Sequence, residues 1–226
     1  MELVVADLQQ RPNCRRRRSS TAAAVGVVAG GSLRARRRSD AVPSLGTIEF
    51  NKVNYLSRVG QAIYAETVPV WDKKSSKVFD FTTRFTFIID TLGQSSYGHG
   101  IAFFLVPVEF QTPRNSASGF LGLFNTTYTN STRNQMIVIE FDSFSNPEWD
   151  PRYEHLGINK NSISSANYTS WNASLHSGDP AEALVSYNST TQNFRVSWSY
   201  GAGNDPIENT RRFHIKLTSR KFFLSG

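Results

Sequence analysis

The sequence predicts an all-β fold, a two-sheet sandwich or jelly roll, and three observations carry that expectation. Residues 78–90 alternate with period two: Phe79, Phe81, Thr83, Phe85, Phe87 and Ile89 share one face, with mostly polar residues opposite. Several short apolar runs are separated by polar loops. No segment sustains a helical period, so the strands must cover one another.

The elements follow in order. Residues 1–43 are rich in Arg, Ser, Ala and Gly without a sustained period, and are expected to form a disordered tail. The folded part is expected over residues 44–226. Residues 101–106 form a continuous apolar run closed by Pro107, which reads as a strand buried on both faces. Residues 136–144 are a strand that runs directly into carboxylates. Residues 183–187 and 194–200 flank a polar loop and predict an antiparallel hairpin, and residues 213–218 alternate once more. Sixteen phenylalanines and four tryptophans supply the bulk for a sheet core.

The net charge of +7 is concentrated at one end. Residues 1–43 hold nine arginines against three acids, whereas the remainder holds 16 basic against 15 acidic residues. The folded part therefore has no electrostatic footprint for nucleic acid. The single cysteine, Cys14, lies in the tail, so the folded part has no disulfide of its own. No stretch is apolar enough over sufficient length to span a membrane as a helix. Arg15 to Arg18 followed by the apolar run over residues 21–29 has the layout of a signal peptide, a transit peptide, or unrelated coding sequence joined upstream. Five Asn-x-Ser/Thr triplets, at Asn125, Asn130, Asn167, Asn172 and Asn188, are expected in surface loops as N-glycosylation acceptors.

The chemistry concentrates in residues 139–155. Glu140, Asp142 and Phe144 are two apart and share one strand face, while Phe141 points the other way, into a core. Asn146, Asp150 and His155 arrive from the loop that follows, with Trp149 and Pro151 to lock it. Hard oxygen donors suit Ca²⁺, and a carboxylate set containing one imidazole suits a transition ion such as Mn²⁺. The group is too oxygen-rich for a structural zinc site.

This constellation resembles that of the legume (L-type) lectins: Glu140, Asp142, Phe144, Asn146, Asp150 and His155, then Leu156-Gly-Ile-Asn159. Residues 60–64, 68–72, 81–89, 100–107 and 119–124 are similar to other pieces of that family, so the resemblance covers about residues 44–218. It implies a concanavalin-like sandwich that binds carbohydrate without catalysis. By resemblance, Glu140 and His155 would hold Mn²⁺, and Asp142 and Asp150 would bridge both ions. The Phe144 carbonyl and the Asn146 side chain would complete the Ca²⁺ site. The sugar would meet the Asn146 amide, the Phe144 ring and the Gly119 backbone N–H.

Three departures shape the expectation. Family members carry Ala-Asp-Gly ahead of the buried strand, whereas this chain has Gly98-His99-Gly100, a form similar to the lectin-type receptor kinases of plants. His99 offers the sugar one acceptor when neutral and none when charged. The opening strand is expected to be missing, with the Arg-rich tail in its place, and the closing strands with the last sugar-contacting loop to lie beyond Gly226. An unpaired sheet edge would follow. The resemblance further implies glycans as partners, a homodimer through the back sheet in a complete form, and an extracellular or plasma-membrane-associated location. Two alternatives stay open: a lectin-fold interaction module that has lost sugar binding, and a two-metal hydrolase.

Overall fold

The computed structural model describes residues 25–28, 35–39, 41–44, 47–50, 58–64, 70–72, 77–107, 110–131, 134–200 and 211–216. Fifteen strands run through them. The first seven are β1 (Val25–Val28), β2 (Ala35–Ser39), β3 (Val42–Ser44), β4 (Thr47–Glu49), β5 (Gly60–Tyr64), β6 (Trp71–Asp72) and β7 (Lys77–Val78). Then come β8 (Phe81–Ile89), β9 (Ile101–Leu105), β10 (Ile137–Asp142), β11 (His155–Lys160) and β12 (Ser165–Ser170). The last are β13 (Pro180–Asn188), β14 (Asn193–Tyr200) and β15 (Arg211–Lys216). Helical structure among the described residues consists of short 3-10 turns, including Ser118–Phe120 and Ser174–His176.

Two antiparallel sheets make the body of the fold. The larger has seven strands in the order β15-β14-β13-β8-β1-β4-β3, and the smaller has four in the order β12-β11-β10-β9. Small ladders join β2 to β5 and β6 to β7. The expected hairpin is β13–β14, closing at the Asn188–Asn193 pair.

The core explains the sequence pattern. On β8, Phe85, Phe87 and Ile89 are buried while the residues between them are half-exposed. They meet Ile101, Phe103, Ile139 and Phe141 of the four-stranded sheet in one apolar cluster. Phe85 stacks on Phe103 with ring centroids 5.6 Å apart, and Phe87 packs against Phe141 at 4.6 Å. The opposite face of β9 and β10 is covered too: Ala102, Phe104 and Val138 form a second cluster with Leu121, Leu123, Phe124 and Ile163. Both strands are thus buried on both faces, which is why residues 101–106 read as unbroken apolar sequence.

The N-terminal expectation needs correcting. β1 and β2 lie inside residues 1–43, and β1 pairs with both β8 and β4. The seven-stranded sheet therefore has a strand beside β8 where an opening strand was expected to be absent. β2 pairs with β5 from Ala35↔Tyr64 to Ser39↔Gly60. The physical reason is local: Val25-Gly-Val-Val28 is a β-branched run that suits a pleated sheet, and the surrounding arginine-rich composition hides it. Cys14, the arginines at 15 to 18, and residues 217–226 lie outside the described residues.

Candidate metal centre

The site is built where β10 leaves the sheet. β10 is held between β9 and β11, in a register that sets Asp142 opposite His155 and Glu140 opposite Gly157. Glu140, Asp142 and His155 are 2%, 1% and 1% exposed, so two carboxylates and an imidazole are withdrawn from water together. Gly157 makes room for one of them. A Cβ there would stand 2.7 Å from Glu140 Oε1 and 2.0 Å from Ser165 Oγ, so any side chain would displace both.

After Asp142 the chain folds tightly around its own carboxylates. The Phe144 N–H donates to Asp142 Oδ1 at 2.7 Å, and the Asn146 N–H donates to Asp150 Oδ2 at 2.8 Å. The Trp149 and Asp150 N–H groups donate back to the Asn146 carbonyl. Ser145 Oγ donates to the Pro151 carbonyl, and the Trp149 ring stacks on Phe120 at 5.4 Å. The loop is thereby held at both ends, as its Trp and Pro suggest.

Ligand atoms of Glu140, Asp150 and His155 all lie within 4.8 Å of one another. His155 Nε2 is 3.2 Å from Glu140 Oε1, which also accepts from Ser165 Oγ at 2.5 Å. Burial, reinforced by Glu140 and Asp150, holds the Asp142 carboxyl well above the usual carboxylate range. Burial and then Glu140 push Asp150 up to about 7. Acids this close in a low-dielectric site cannot all ionise without a positive charge among them. Asn146 Oδ1 and His155 Nδ1 are buried with no hydrogen-bond partner, an unusual state for an acceptor on a side chain 6% exposed. Crowded acids, an orphaned amide oxygen and an imidazole form a donor set that fits Ca²⁺ together with a Mn²⁺-like ion.

The other expected site residues converge on the same loop. Gly119 lies on the 3-10 turn, and a Cβ there would sit 2.3 Å from Asn146 Oδ1. Only a glycine lets that backbone approach the amide so closely. His99 is 1% exposed, with its ring edge-on to Phe144 at 4.7 Å, so it underlies that half-buried ring instead of projecting from an open loop. Ser143 Oγ donates to the Gly98 carbonyl and ties the two loops together.

Two contributors escaped the sequence reading, and so did a neighbouring acid, Glu154, that lies outside the ligand cluster. Ser165 comes from β12, and Gly157 acts by what it lacks. Glu154 accepts from the Tyr97 hydroxyl and from the Ala173 N–H, the latter at 2.6 Å. Burial and the bond to Glu154 push the Tyr97 hydroxyl up to about 12. None of these partners is near in sequence, so spacing holds no signal for them.

The five sequon asparagines are not equivalent. Asn130 and Asn172 are exposed in loops, and Asn188 is exposed at the end of β13. Asn167 lies in β12 and not in a loop as expected; β12 is an edge strand with exposed residues, so polar sequence is tolerated there. Asn125 is half-buried, with Nδ2 donating to the Arg114 carbonyl at 3.1 Å and Oδ1 accepting from Thr127 and Tyr128.

Comparison with known proteins places this geometry in context. The legume lectin domain profile matches residues 30–221. The chain is 48% identical over 174 residues to the L-type lectin-domain containing receptor kinase IX.1 of Arabidopsis thaliana, covering 75% of this chain. It is 45% identical over 181 residues to receptor kinase IX.2 of the same plant, covering 78% of this chain. The matches span 27% of the length of each of these kinases. Among solved structures it is similar to the lectin UEA-II complexed with galactose, with a TM-score of 0.73 and 27% identity over 92% of this chain and 87% of that one.

Proposed function

The chain belongs to the legume lectin domain family, and from that premise we propose that it is a non-catalytic, metal-assisted carbohydrate-binding domain of a plant cell-surface receptor. It works outside the cell, at the plasma membrane, as its kinship with receptor kinase ectodomains suggests.

One observation supports the reading above the others: the orphaned Asn146 Oδ1, pressed against Gly119 and adjoining the cluster of Glu140, Asp150 and His155. When bound, Ca²⁺ and a Mn²⁺-like ion supply the positive charge that lets Glu140, Asp142 and Asp150 ionise together. Glu140 and His155 would hold the transition ion, and Asp142 and Asp150 would serve both ions. The Phe144 carbonyl and Asn146 Oδ1 would complete the calcium set. With its oxygen held, Asn146 presents its amide N–H to a sugar hydroxyl, the Gly119 N–H donates beside it, and the Phe144 ring offers an apolar face to the pyranose.

His99 favours a second reading. Where the family has a carboxylate acceptor, this chain has a buried imidazole against Phe144. A domain holding its metals but little sugar would serve as an interaction module. A glycan array on metal-loaded protein, repeated after chelation and with Asp142→Ala, separates the two. Glycan binding lost in both controls supports the lectin reading. Folded, metal-loaded protein that ignores every glycan refutes it in favour of the second.

A further inference from the structure

A cavity of about 540 Å³ opens beside the metal centre, between the end of β12 and the ends of β13 and β14. Its walls include four aromatic rings, Tyr153, Trp171, Trp198 and Tyr200, together with the Glu154 carboxylate, and among the described residues neither lysine nor arginine lines it. The exposed Leu175, with 76% of its surface in water, marks the rim. The size suits a small organic ligand.

The chemistry of the wall is selective. Glu154 is half-buried, and both of its oxygens accept hydrogen bonds, from Tyr97 and from Ala173, but neither donor carries charge. No ion pair to Glu154 is formed among the described residues. The His176 ring, also on the wall, stacks on Tyr200 at 3.6 Å and turns its Nδ1 toward Asp179 at 3.5 Å. The Trp171 indole N–H donates to the Tyr200 hydroxyl, which fixes two of the rings relative to each other. A half-buried carboxylate without an ion pair among the described residues, in a cavity lined by aromatic side chains, attracts a cation whose surface is itself apolar. A hard metal ion favours several carboxylates, whereas the lining holds one, with both oxygens already accepting hydrogen bonds, and a phosphate or sulfate would meet the wrong charge.

We propose that this cavity is a binding site for a small organic cation of the quaternary ammonium or alkylated amine class, separate from the metal centre and independent of sugar binding. The trimethylammonium head contacts the rings, and Glu154 supplies the opposing charge.

The experiment titrates metal-loaded, glycan-free protein with choline, and with its neutral carbon isostere in which tert-butyl replaces trimethylammonium. Glycan-free protein is used because the sequon Asn172 stands on the cavity wall. Calorimetry should show saturable choline binding, with the isostere at least about tenfold weaker. In indole N–H spectra the signals of Trp171 and Trp198 should move while those of Trp71 and Trp149 stay. Glu154→Gln should weaken choline about tenfold and leave the isostere unchanged, and Tyr153→Ala, at an exposed ring, should weaken choline several-fold. Equal affinities for choline and isostere, or no saturable response to millimolar choline in folded wild-type protein, would overturn the proposal. Neither result bears on whether the metal centre takes sugar.

Discussion

Gly119→Ala is the sharpest probe of the metal centre, because it adds a single methyl group against a single atom. That methyl carbon would stand 2.3 Å from Asn146 Oδ1, 2.8 Å from Cγ and 3.0 Å from Nδ2. Ordinary contact begins near 3.4 Å, so the amide must retreat by about 1 Å, beyond what a coordinated oxygen tolerates. The added methyl meets the Asn146 side chain: Glu140, Asp142 and His155 are positioned by other partners, and Asp150 is tied to Asn146 through its backbone and not through its amide. Losing one oxygen from a charged partner resembles losing a hydrogen bond to a charged group, about 1.5–3 kcal/mol. Calcium affinity should therefore fall roughly ten- to a hundredfold. Overpacking should cost the metal-free fold about 1–3 kcal/mol at most. Calcium calorimetry on both proteins, with thermal melts of the metal-free forms, makes the measurement. Unaltered calcium affinity in a folded Gly119→Ala protein would show that Asn146 Oδ1 is not a ligand.

The remaining predictions are more direct. Asp142→Ala should abolish both Ca²⁺ and Mn²⁺ binding, since this carboxylate is proposed to serve both ions; elemental analysis of folded variant that retains either metal would contradict the bridging role. The pH dependence of the metal-free protein should run opposite to that of the loaded one. Asp142 and Asp150 have folded pKa values raised above their unfolded ones, Asp150 to about 7, so the folded state holds extra protons between about pH 4 and 7. Metal-free protein should thus lose stability as pH rises through that window, while metal affinity should weaken as pH falls below about 7; melts at pH 5 and 7.5 with and without metal read both signs. His99→Asp should strengthen sugar binding about ten- to a hundredfold if the loops keep their geometry, and calorimetry with galactose, mannose and their oligomers showing no gain would move the specificity elsewhere.

What could be read from the sequence follows a physical rule. β8, β9 and β10 were legible because burial on one face or both leaves an imprint of period two or of unbroken apolar residues. The proposed metal ligands could be named from sequence because a strand and its following loop carry them within sixteen consecutive residues. The supporting groups were not. Ser165 reaches Glu140 from another strand, and Tyr97 bonds Glu154 across 57 positions. β1 and β2 were masked for a different reason: strand pairing of the backbone is indifferent to the arginine-rich composition that argued for a tail. Asn167 was misplaced because polar residues at an exposed edge strand look like those of a loop.

The double burial of β10 also limits how such a domain can diversify. Side chains on both of its faces are already committed, to one apolar cluster or the other or to the ligand set, so almost any replacement there puts folding at risk. Exposed loop positions around residues 92–96, 111–115 and 126–128 carry no such double commitment. Descendants that take up new ligands would therefore be expected to rewrite those loops and inherit β10 nearly unchanged, so that one mineral anchor can underlie many recognition surfaces.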